Sequence, residues 1–271
     1  MSDELLTTAE AARIAGVGMS SLKRWADQNL IRCVRTAGGH RRFHRHDLDA
    51  FLREHGEIVA GSPDEWVQSA LEAGSFELQG ELFRARDRLG SWHAVGDELG
   101  RALTEIGARW ARGELGVIEE HIASEKLSRV IQRAVEAMPS SDTDPRALLA
   151  TAEGDDHTLG LSLVELCLRE AGWRTIWSGR RTPSAALVEL VEAGGIELLA
   201  LSASVASSDA RGLAEQAGAL GHACRKAEVF LVIGGGGAWP EQPAYGTRVR
   251  DLAALHGLAS TWRASAARRV G

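Results

Sequence analysis

Four short apolar segments in the C-terminal half constrain the fold of this 271-residue chain more than any other feature. They span residues 147–152, 173–177, 196–201 and 229–233. Their length and composition are typical of buried strands, and helical patterns separate them. Strands that alternate with helices form a parallel sheet covered by helices on both faces. We therefore predict a doubly wound, Rossmann-like (flavodoxin-like) domain over residues 146–265.

The loop after the first apolar segment carries Asp-Asp-His-Thr-Leu-Gly at residues 155–160. In an open α/β sheet, such a loop lies at the carboxyl end of a strand, where these folds bind ligands. Asp155 is placed to accept the proton of one ring nitrogen of His157, which leaves the other nitrogen free for a metal. Gly160 lets a bulky planar ligand approach the following helix. The alternative is a histidine that caps the helix, and this pattern alone leaves both interpretations open.

Two further loops follow predicted strands at the same end of the sheet. Ser202 and Ser204 come after the third apolar segment, and four glycines at 234–237 come after the fourth. A glycine run would equally suit a phosphate loop, but the Gly-Lys-Ser/Thr of an NTPase is missing.

Composition narrows the class of protein. The chain is 44% hydrophobic and 25% charged, which is ordinary for a globular protein. No apolar run approaches the roughly 20 residues of a membrane span, and the N-terminus lacks the pattern of a signal peptide. Cys33, Cys167 and Cys224 are scattered and form no CxxC. We therefore expect a cytoplasmic protein without a membrane partner.

Charge is distributed unevenly along the chain. Residues 1–52 carry eight Lys+Arg against six Asp+Glu, or +2, and the remainder carries 23 − 31 = −8. Within residues 23–46, Asp27 is the single acid among seven basic residues. A basic N-terminal segment on an acidic protein predicts a module that binds a polyanion.

The N-terminal segment is predicted to form two short helices, a glycine-bearing turn at 16–18 and a β-hairpin. Thr7 and Glu10 form a capping box at the start of the first helix, and the second helix runs from about 19 to 28. Two helices joined in this way form a helix-turn-helix, whose second helix enters the major groove of DNA. The hairpin has strands at 30–35 and 40–43. The residues expected to contact DNA are Ser20, Ser21, Lys23 and Arg24 on the second helix and Arg35, His40, Arg41 and Arg42 on the hairpin.

A connector over 52–60 is predicted to lead into four helices, at about 63–73, 75–88, 91–109 and 117–137. Ser62 and Pro63 provide an N-cap and a proline at the first helical position. These lengths and short connections indicate a four-helix bundle over residues 62–138.

Gly113 and Gly116 break the helical pattern between the third and fourth helices. Trp110 should therefore stand near a helix end, and Glu120 and His121 in the first turns of the next helix. An indole beside a carboxylate and an imidazole offers a stacking surface with polar contacts, as a nucleoside needs. The alternative is a core tryptophan with a solvated Glu-His pair.

Motifs in three regions carry resemblances to known families. Ala-Ala-x-x-x-Gly-Val, Leu-x-x-Trp and Arg-Thr-x-Gly-Gly-His-Arg-Arg-Phe, all within residues 5–52, resemble the winged-helix head of MerR regulators. Asp-x-His-x-x-Gly at 155–160 resembles the cobalamin-binding motif of methionine synthase and its relatives. With Trp-x9-Glu-His at 110–121 between them, the chain over about 5–260 resembles the CarH/LitR family of light-responsive repressors. The predicted domains are a MerR-like head at 1–55, the bundle at 62–138 and the cobalamin-binding domain at 146–265.

The resemblance implies adenosylcobalamin as cofactor, with His157 as the lower ligand of cobalt and the bundle capping the upper face. Trp110, Glu120 and His121 would then surround the adenosyl group. The slot for the nucleotide tail would be lined by Ser202, Ser204, Gly234 and Gly235. The resemblance further implies a repressor, and no enzyme, that assembles on double-stranded operator DNA in the dark as a homo-oligomer, from dimer to tetramer. Light would break the cobalt–carbon bond, and the assembly would come apart. The separated heads would then lose the avidity of multivalent binding and release the DNA.

The sequence departs from this pattern at one position, and two other functions stay open. Some members carry a histidine directly after the tryptophan that captures cobalt after photolysis, and here Ala111 stands in its place; His121 or water could fill that role. The alternatives are a corrinoid carrier protein for methyl transfer and a cobalamin-responsive regulator insensitive to light. No second metal site is predicted, because the one close histidine cluster is His40, His44 and His46 near the hairpin, which we expect to meet phosphates.

Overall fold

The computed structural model describes residues 5–15, 19–59 and 61–270, without the side chains of 13, 20, 21, 53–59 and 267–270. The chain divides into two units. Unit 1 comprises Met1–Gly90 and Glu98–Val130, and unit 2 comprises Ser91–Asp97 and Ile131–Gly271. The predicted division into three domains stays a prediction. None of the helices described is long and apolar enough to cross a membrane.

The N-terminal head of unit 1 combines helices with a small antiparallel sheet of order β1-β3-β2. Its elements are β1 (Leu5–Thr7), α1 (Thr8–Ala15), α2 (Met19–Asp27), β2 (Val34–Arg35), β3 (Arg41–His44) and α3 (Arg45–Val59). The predicted capping box is present, since Glu10 N–H donates to Thr7 Oγ1 at 3.2 Å and Thr7 N–H to Glu10 Oε2 at 2.8 Å. The predicted glycine turn at 16–18 lies outside the described residues.

Sequence reasoning was wrong about two parts of the head. The connector predicted at 52–60 is helical as far as Val59, because Leu48 and Phe51 anchor α3 in the head core, where the rings of Phe51 and Trp25 pack 5.1 Å apart. The hairpin strand predicted at 30–35 is reduced to two residues, because Ile31 turns inward and is buried.

The four helices predicted between 63 and 137 are all present, within two residues of the predicted ends. They are α4 (Pro63–Glu72), α5 (Ser75–Leu89), α6 (Trp92–Ala111) and α7 (Val117–Glu136). In unit 1 the buried Glu98 of α6 accepts hydrogen bonds from Trp66 Nε1 of α4 and Arg88 Nη2 of α5, both at 2.8 Å. Lys126 Nζ of α7 donates to two carbonyl groups at the end of α4. These bonds join all four helices, and the predicted bundle is confirmed.

Unit 2 contains a five-stranded parallel sheet of order β5-β4-β6-β7-β8. Its strands are β4 (Arg146–Thr151), β5 (Arg174–Gly179), β6 (Leu198–Ser202), β7 (Phe230–Gly234) and β8 (Thr247–Arg248), and its helices are α8 (Leu159–Glu170), α9 (Ser184–Ala193), α10 (Ala210–Lys226) and α11 (Leu252–Val270). In order of appearance the strands run 2-1-3-4-5, the flavodoxin-like arrangement. The predicted fold class is confirmed, and only the two-residue β8 was not foreseen.

Successive residues of each strand point to opposite faces of this sheet and build two cores. Leu148 and Ala150 pack with residues of α9 and α10, whereas Ala147 and Leu149 pack with residues of α8 and α11. A strand covered on both faces has no polar side. This explains why the strands appear in the sequence as continuous apolar runs.

The first turns of α6 belong to unit 2 and are held there by two carboxylates. Glu170, the last residue of α8, accepts from the backbone N–H groups of Trp92 at 2.6 Å and His93 at 2.8 Å. Asp97 of α6 in turn accepts from the backbone N–H groups of Leu252 and Ala253 at the start of α11. Each carboxylate satisfies N–H groups that a helix N-terminus leaves without partners.

Candidate functional site

Three loops start side by side at the carboxyl edge of the sheet. The strand ends are in register, with Thr151 of β4 opposite Ser202 of β6 and Ser202 opposite Gly234 of β7. β4 and β6 flank the point where the strand order reverses, which is where open α/β sheets bind ligands. The three predicted site segments are thus brought together within unit 2.

His157 is held in this edge by the buried carboxylate of Asp155. Asp155 Oδ1 accepts from the backbone N–H of His157 at 2.8 Å and lies 2.9 Å from its ring Nδ1. The side chain of His157 is 65% exposed, whereas that of Asp155 is 1% exposed. The carboxylate is therefore buried within the protein, whereas the imidazole ring is exposed at the surface.

Neighbouring donors keep Asp155 ionised. Its Oδ2 accepts from the backbone N–H of Ser204 at 2.6 Å and from Ser207 Oγ at 2.7 Å. Burial alone would raise the pKa of Asp155, but the hydrogen bonds from Ser207, His157 and Ser204 outweigh burial and lower it to about 2. An ionised carboxylate can only accept, so Nδ1 of His157 carries the proton.

The other ring nitrogen of His157 is available to a ligand. Ser204 Oγ lies 3.1 Å from Nδ1, and no residue that the structure describes makes a hydrogen bond to Nε2. A histidine oriented through one nitrogen by a carboxylate, with the other exposed, is the usual arrangement of a metal-binding imidazole. The residues present fit a metal-centred cofactor at this edge.

The glycine loop after β7 packs backbone to backbone against the loop after β6. Gly235 has φ +86°, and a Cβ there would lie 2.2 Å from the carbonyl oxygen of Ala203. A Cβ on Gly237 would lie 2.5 Å from Cβ of Ala203. A side chain at either position would force the two loops apart, so these glycines allow the loops to pack closely together.

Ser202 lies between the loops rather than on their outer surface. It is 7% exposed, and its Oγ would lie 3.6 Å from a Cβ built on Gly160 and 3.1 Å from one built on Gly235. The contact at Gly160 is an ordinary one, so none of the described residues requires glycine there. Gly160 is also exposed, in keeping with a residue over which a ligand is expected to lie.

Trp110, Glu120 and His121 lie at the corner between α6 and α7 in unit 1. Trp110 is 52% exposed, so the alternative of a core tryptophan is wrong. Glu120 accepts from Ser124 Oγ at 2.7 Å, and His121 Nε2 lies 3.6 Å from Glu120 Oε2. The indole is therefore accessible near the end of α6, and the carboxylate of Glu120 lies in the first turn of α7.

Sequence reasoning missed three apolar residues of the same corner. Val117, Ile118 and Ile122, in the first turns of α7, are 53%, 74% and 47% exposed. Exposed apolar residues grouped in this way mark a surface that meets something apolar. The sequence itself contained a sign of this surface. A helix whose first residues are Val-Ile is unusual if that turn faces solvent.

The residues expected to contact DNA differ in how far their side chains are exposed and in whether they already have partners within the protein. Lys23, Arg35 and His40 are exposed. Arg41 forms an ion pair with Asp27 at the end of α2, and its side chain is 18% exposed, so it joins the hairpin to the second helix. Arg42 Nη1 donates to the carbonyl oxygen of Arg41 at 3.0 Å. Arg24 is partly buried, and the side chains of Ser20 and Ser21 lie outside the described residues.

Comparison with known families defines the class of this protein. The chain matches the family models "Helix-turn-helix domain" over residues 5–56 and "B12 binding domain" over residues 145–247. It is thus a helix-turn-helix protein with a B12-binding domain.

Two relatives narrow the class further. The chain is 29% identical to the HTH-type transcriptional repressor CarA of Myxococcus xanthus, over 83% of this chain and 84% of the relative. It is 31% identical to the HTH-type transcriptional repressor CarH of the same organism, over 43% of this chain and 38% of the relative. The predicted resemblance to CarH-like regulators is confirmed.

A solved structure supports the fold. The monomethylamine corrinoid protein of Methanosarcina barkeri superposes with a TM-score of 0.58, covering 76% of this chain and 99% of that chain. The two sequences are 16% identical, so this likeness shows a shared fold alone.

Proposed function

We propose that this chain is a transcriptional repressor that binds adenosylcobalamin and releases operator DNA on illumination. The observation that carries the proposal is the His157 arrangement, in which a buried carboxylate holds one ring nitrogen and the other faces outward at the switch point of the sheet. His157 would be the lower ligand of cobalt. Asp155 would fix the tautomer and raise the basicity of the ring.

The loops around His157 would hold the rest of the cofactor. Ser202, Gly234 and Gly235 would line the slot for the nucleotide tail, as the family resemblance implies, and Ser202 and Gly235 lie close together at this edge. The Oγ of Ser204 and the backbone over Gly160 would line the entrance to this slot. Each of these roles follows from the family resemblance together with the crowding at the glycine loop.

The corner between α6 and α7 would cover the adenosyl group. Trp110 offers an exposed face for stacking on a purine, and Glu120 retains Oε2 to accept hydrogen bonds from a ribose. The bound cofactor supplies a cobalt–carbon bond that light breaks. The exposed apolar residues Val117, Ile118 and Ile122 of this corner would be covered while the cofactor is bound.

The heads would bind DNA weakly one by one and tightly when assembled. Lys23, Arg35, His40 and Arg42 provide contacts to phosphates and bases, and oligomers place several heads on one operator. Linking several weak sites raises avidity through effective concentration. Disassembly after illumination would therefore free the promoter without any change within a head.

Cofactor binding is tested first by gel filtration in the dark after incubation with adenosylcobalamin. Wild type should elute with a corrin absorption band, and His157→Ala should lose most of it. His222→Ala replaces another exposed histidine of unit 2 and should keep the colour. Equal retention by His157→Ala and wild type would contradict the proposed ligand.

The response to light is tested on the loaded protein before and after green illumination. A coloured oligomer in the dark that becomes smaller in the light would support the proposal and show that Ala111 permits the switch. A coloured species of unchanged size whose DNA binding responds to cobalamin but not to light would indicate a light-insensitive regulator. Stable retention of methylcobalamin in preference to adenosylcobalamin, with methyl transfer to a thiol, would indicate a corrinoid carrier.

A further inference from the structure

Two histidines and a glutamate from three distant segments meet in unit 2, away from the His157 edge. His93 lies in the first turn of α6, Glu170 ends α8, and His256 lies in the second turn of α11. One candidate ligand atom from each residue lies within 4.8 Å of the others. No local sequence pattern brings these residues together, because they are up to 163 positions apart.

The three side chains are held close together and are largely shielded from solvent. His93 Nδ1 lies 2.8 Å from Glu170 Oε2, and these side chains are 24% and 13% exposed. The rings of His93 and His256 stack with their centroids 4.2 Å apart and an angle of 23° between their planes. Ser91 Oγ contacts His93 Nε2 at 3.3 Å, which fixes the ring orientation.

A helix cap explains only part of this cluster. Glu170 accepts from the first N–H groups of α6, which accounts for Glu170 and for its contact with His93. It does not account for His256, whose ring makes no hydrogen bond to any residue that the structure describes. A polar ring that stacks on another imidazole without a hydrogen-bond partner has ring nitrogens available to coordinate a metal.

We propose that His93, Glu170 and His256 form a binding site for a divalent transition-metal ion, with Zn²⁺ as the favoured ion. Two imidazoles and one carboxylate are a common zinc ligand set, and water would complete the tetrahedron. The ion would replace the proton between His93 Nδ1 and Glu170 Oε2. Bonds of about 2.0–2.1 Å separate tetrahedral ligand atoms by about 3.3 Å, so the His93–Glu170 pair opens slightly and His256 swings inward.

The three candidate ligands come from three different helices of unit 2. A bound ion would join α6, α8 and α11.

The experiment uses the full chain without a polyhistidine tag, stripped with a chelator and then titrated with Zn²⁺ against a chromophoric competitor. Elemental analysis counts zinc separately from the cobalt of cobalamin. Wild type should bind one tight Zn²⁺ per chain, which raises its melting temperature. His256→Gln should weaken binding at least about tenfold and reduce the thermal shift at equal Zn²⁺ concentration, because a ligand is lost while the cap of α6 remains.

Two control variants separate this site from other histidines. His222→Ala removes an exposed histidine of α10 and should bind Zn²⁺ as wild type does. The double variant His44→Ala/His46→Ala removes two of the three clustered histidines of the head and should also leave the tight site unchanged. The proposal is overturned if wild type binds no Zn²⁺ above background, if a folded His256→Gln binds as tightly as wild type, or if only the double variant loses the site.

Discussion

At the residue scale, Asp155 shows how one buried charge can organise a site. Its two oxygens receive four hydrogen bonds, from the loop after β4 and from the loop after β6. The same carboxylate therefore sets the tautomer of His157 and fixes the distance between two loops. Removing the charge should disturb both.

Asp155→Asn should lower the affinity for adenosylcobalamin about 10- to 100-fold, because the amide no longer strengthens His157 as a ligand. Absorption titration in the dark measures this affinity. The matched control is Asp156→Asn, because Asp156 is exposed and pairs with Arg181 on the surface. Equal affinities of the two variants would argue against a role of Asp155 in ligand binding.

The buried Glu65 makes the stability of unit 1 depend on pH. Burial raises its pKa to about 7, despite the backbone N–H of Gly61 and the attraction of Arg24. The folded state thus retains a proton that the unfolded chain releases above its ordinary pKa of 4.5. The stability contributed by protonated Glu65 is fully present below pH 4.5 and is lost as the pH rises to about 7.

Glu65→Gln should therefore raise the free energy of unfolding at pH 8 by up to about 3 kcal/mol, and much less at pH 5. Urea denaturation at pH 5, 6, 7 and 8 measures the difference. Glu136→Gln, an exposed position at the end of α7, should show no such trend. A gain of equal size at every pH would contradict the raised pKa.

Residues near one another in the sequence could be predicted to cooperate, and distant residues could not. Asp155 and His157 lie in one loop, so their geometry follows from local spacing. His93 and His256 meet only because α6 and α11 both contact α8, which no local pattern reveals. The exposed corner at Trp110 lies between these cases, since the helix break was predictable and the exposure was not.

At the scale of elements, the steric requirement for glycine in the loop after β7 can be tested. Gly235→Ala places a Cβ against the carbonyl oxygen of Ala203 at a positive φ. We expect a loss of about 2–3 kcal/mol in the free energy of unfolding and weaker cobalamin binding. Thermal and urea denaturation of the cofactor-free protein measure the first effect.

Gly218→Ala is the matched control. Gly218 lies within α10, and a Cβ there meets no atom within 4 Å. Alanine should stabilise this helix by about 0.5–1 kcal/mol. Similar effects of the two substitutions would mean that the crowding at Gly235 is relieved by movement of the loops.

Long elements with a regular apolar pattern were predictable to within two residues, whereas short ones were not. The helices α4 to α7 have caps and stripes that the sequence displays. The strands β1 and β8 contain three and two residues and depend on pairing with β3 and β7. α3 was not predicted, although Leu48, Phe51 and Leu52 have helical spacing and Gly61 and Pro63 follow its end at Val59.

At the scale of the whole molecule, unit 2 is not one continuous stretch of sequence. It includes Ser91–Asp97 as well as Ile131–Gly271. Within Ser91–Asp97, the carboxylate of Asp97 caps the start of α11. The backbone N–H of Trp92 in the same segment donates to the carboxylate of Glu170. Gln132 of α7 adds a hydrogen bond to Glu165 of α8 at 2.8 Å.

A fragment of residues 139–271 should consequently be less stable than the same residues within a fragment of 62–271. The shorter fragment leaves Glu170 without its backbone partners and the start of α11 without its cap. We expect a deficit of at least about 3 kcal/mol, since each lost cap costs about 0.5–2 kcal/mol and apolar surface is exposed as well. Hydrogen exchange of the strand amides compares both fragments directly, and equal protection would show that the early segment is dispensable.

The segment Ser91–Asp97 also bears on how such proteins can be recombined in evolution. Recombination within the polar stretch 139–145 would separate the sheet from the first turns of α6, which belong to the same unit. An exchange that cuts near residue 61 keeps those turns and replaces only the head. Lineages should therefore inherit the first turns of α6 together with the sheet.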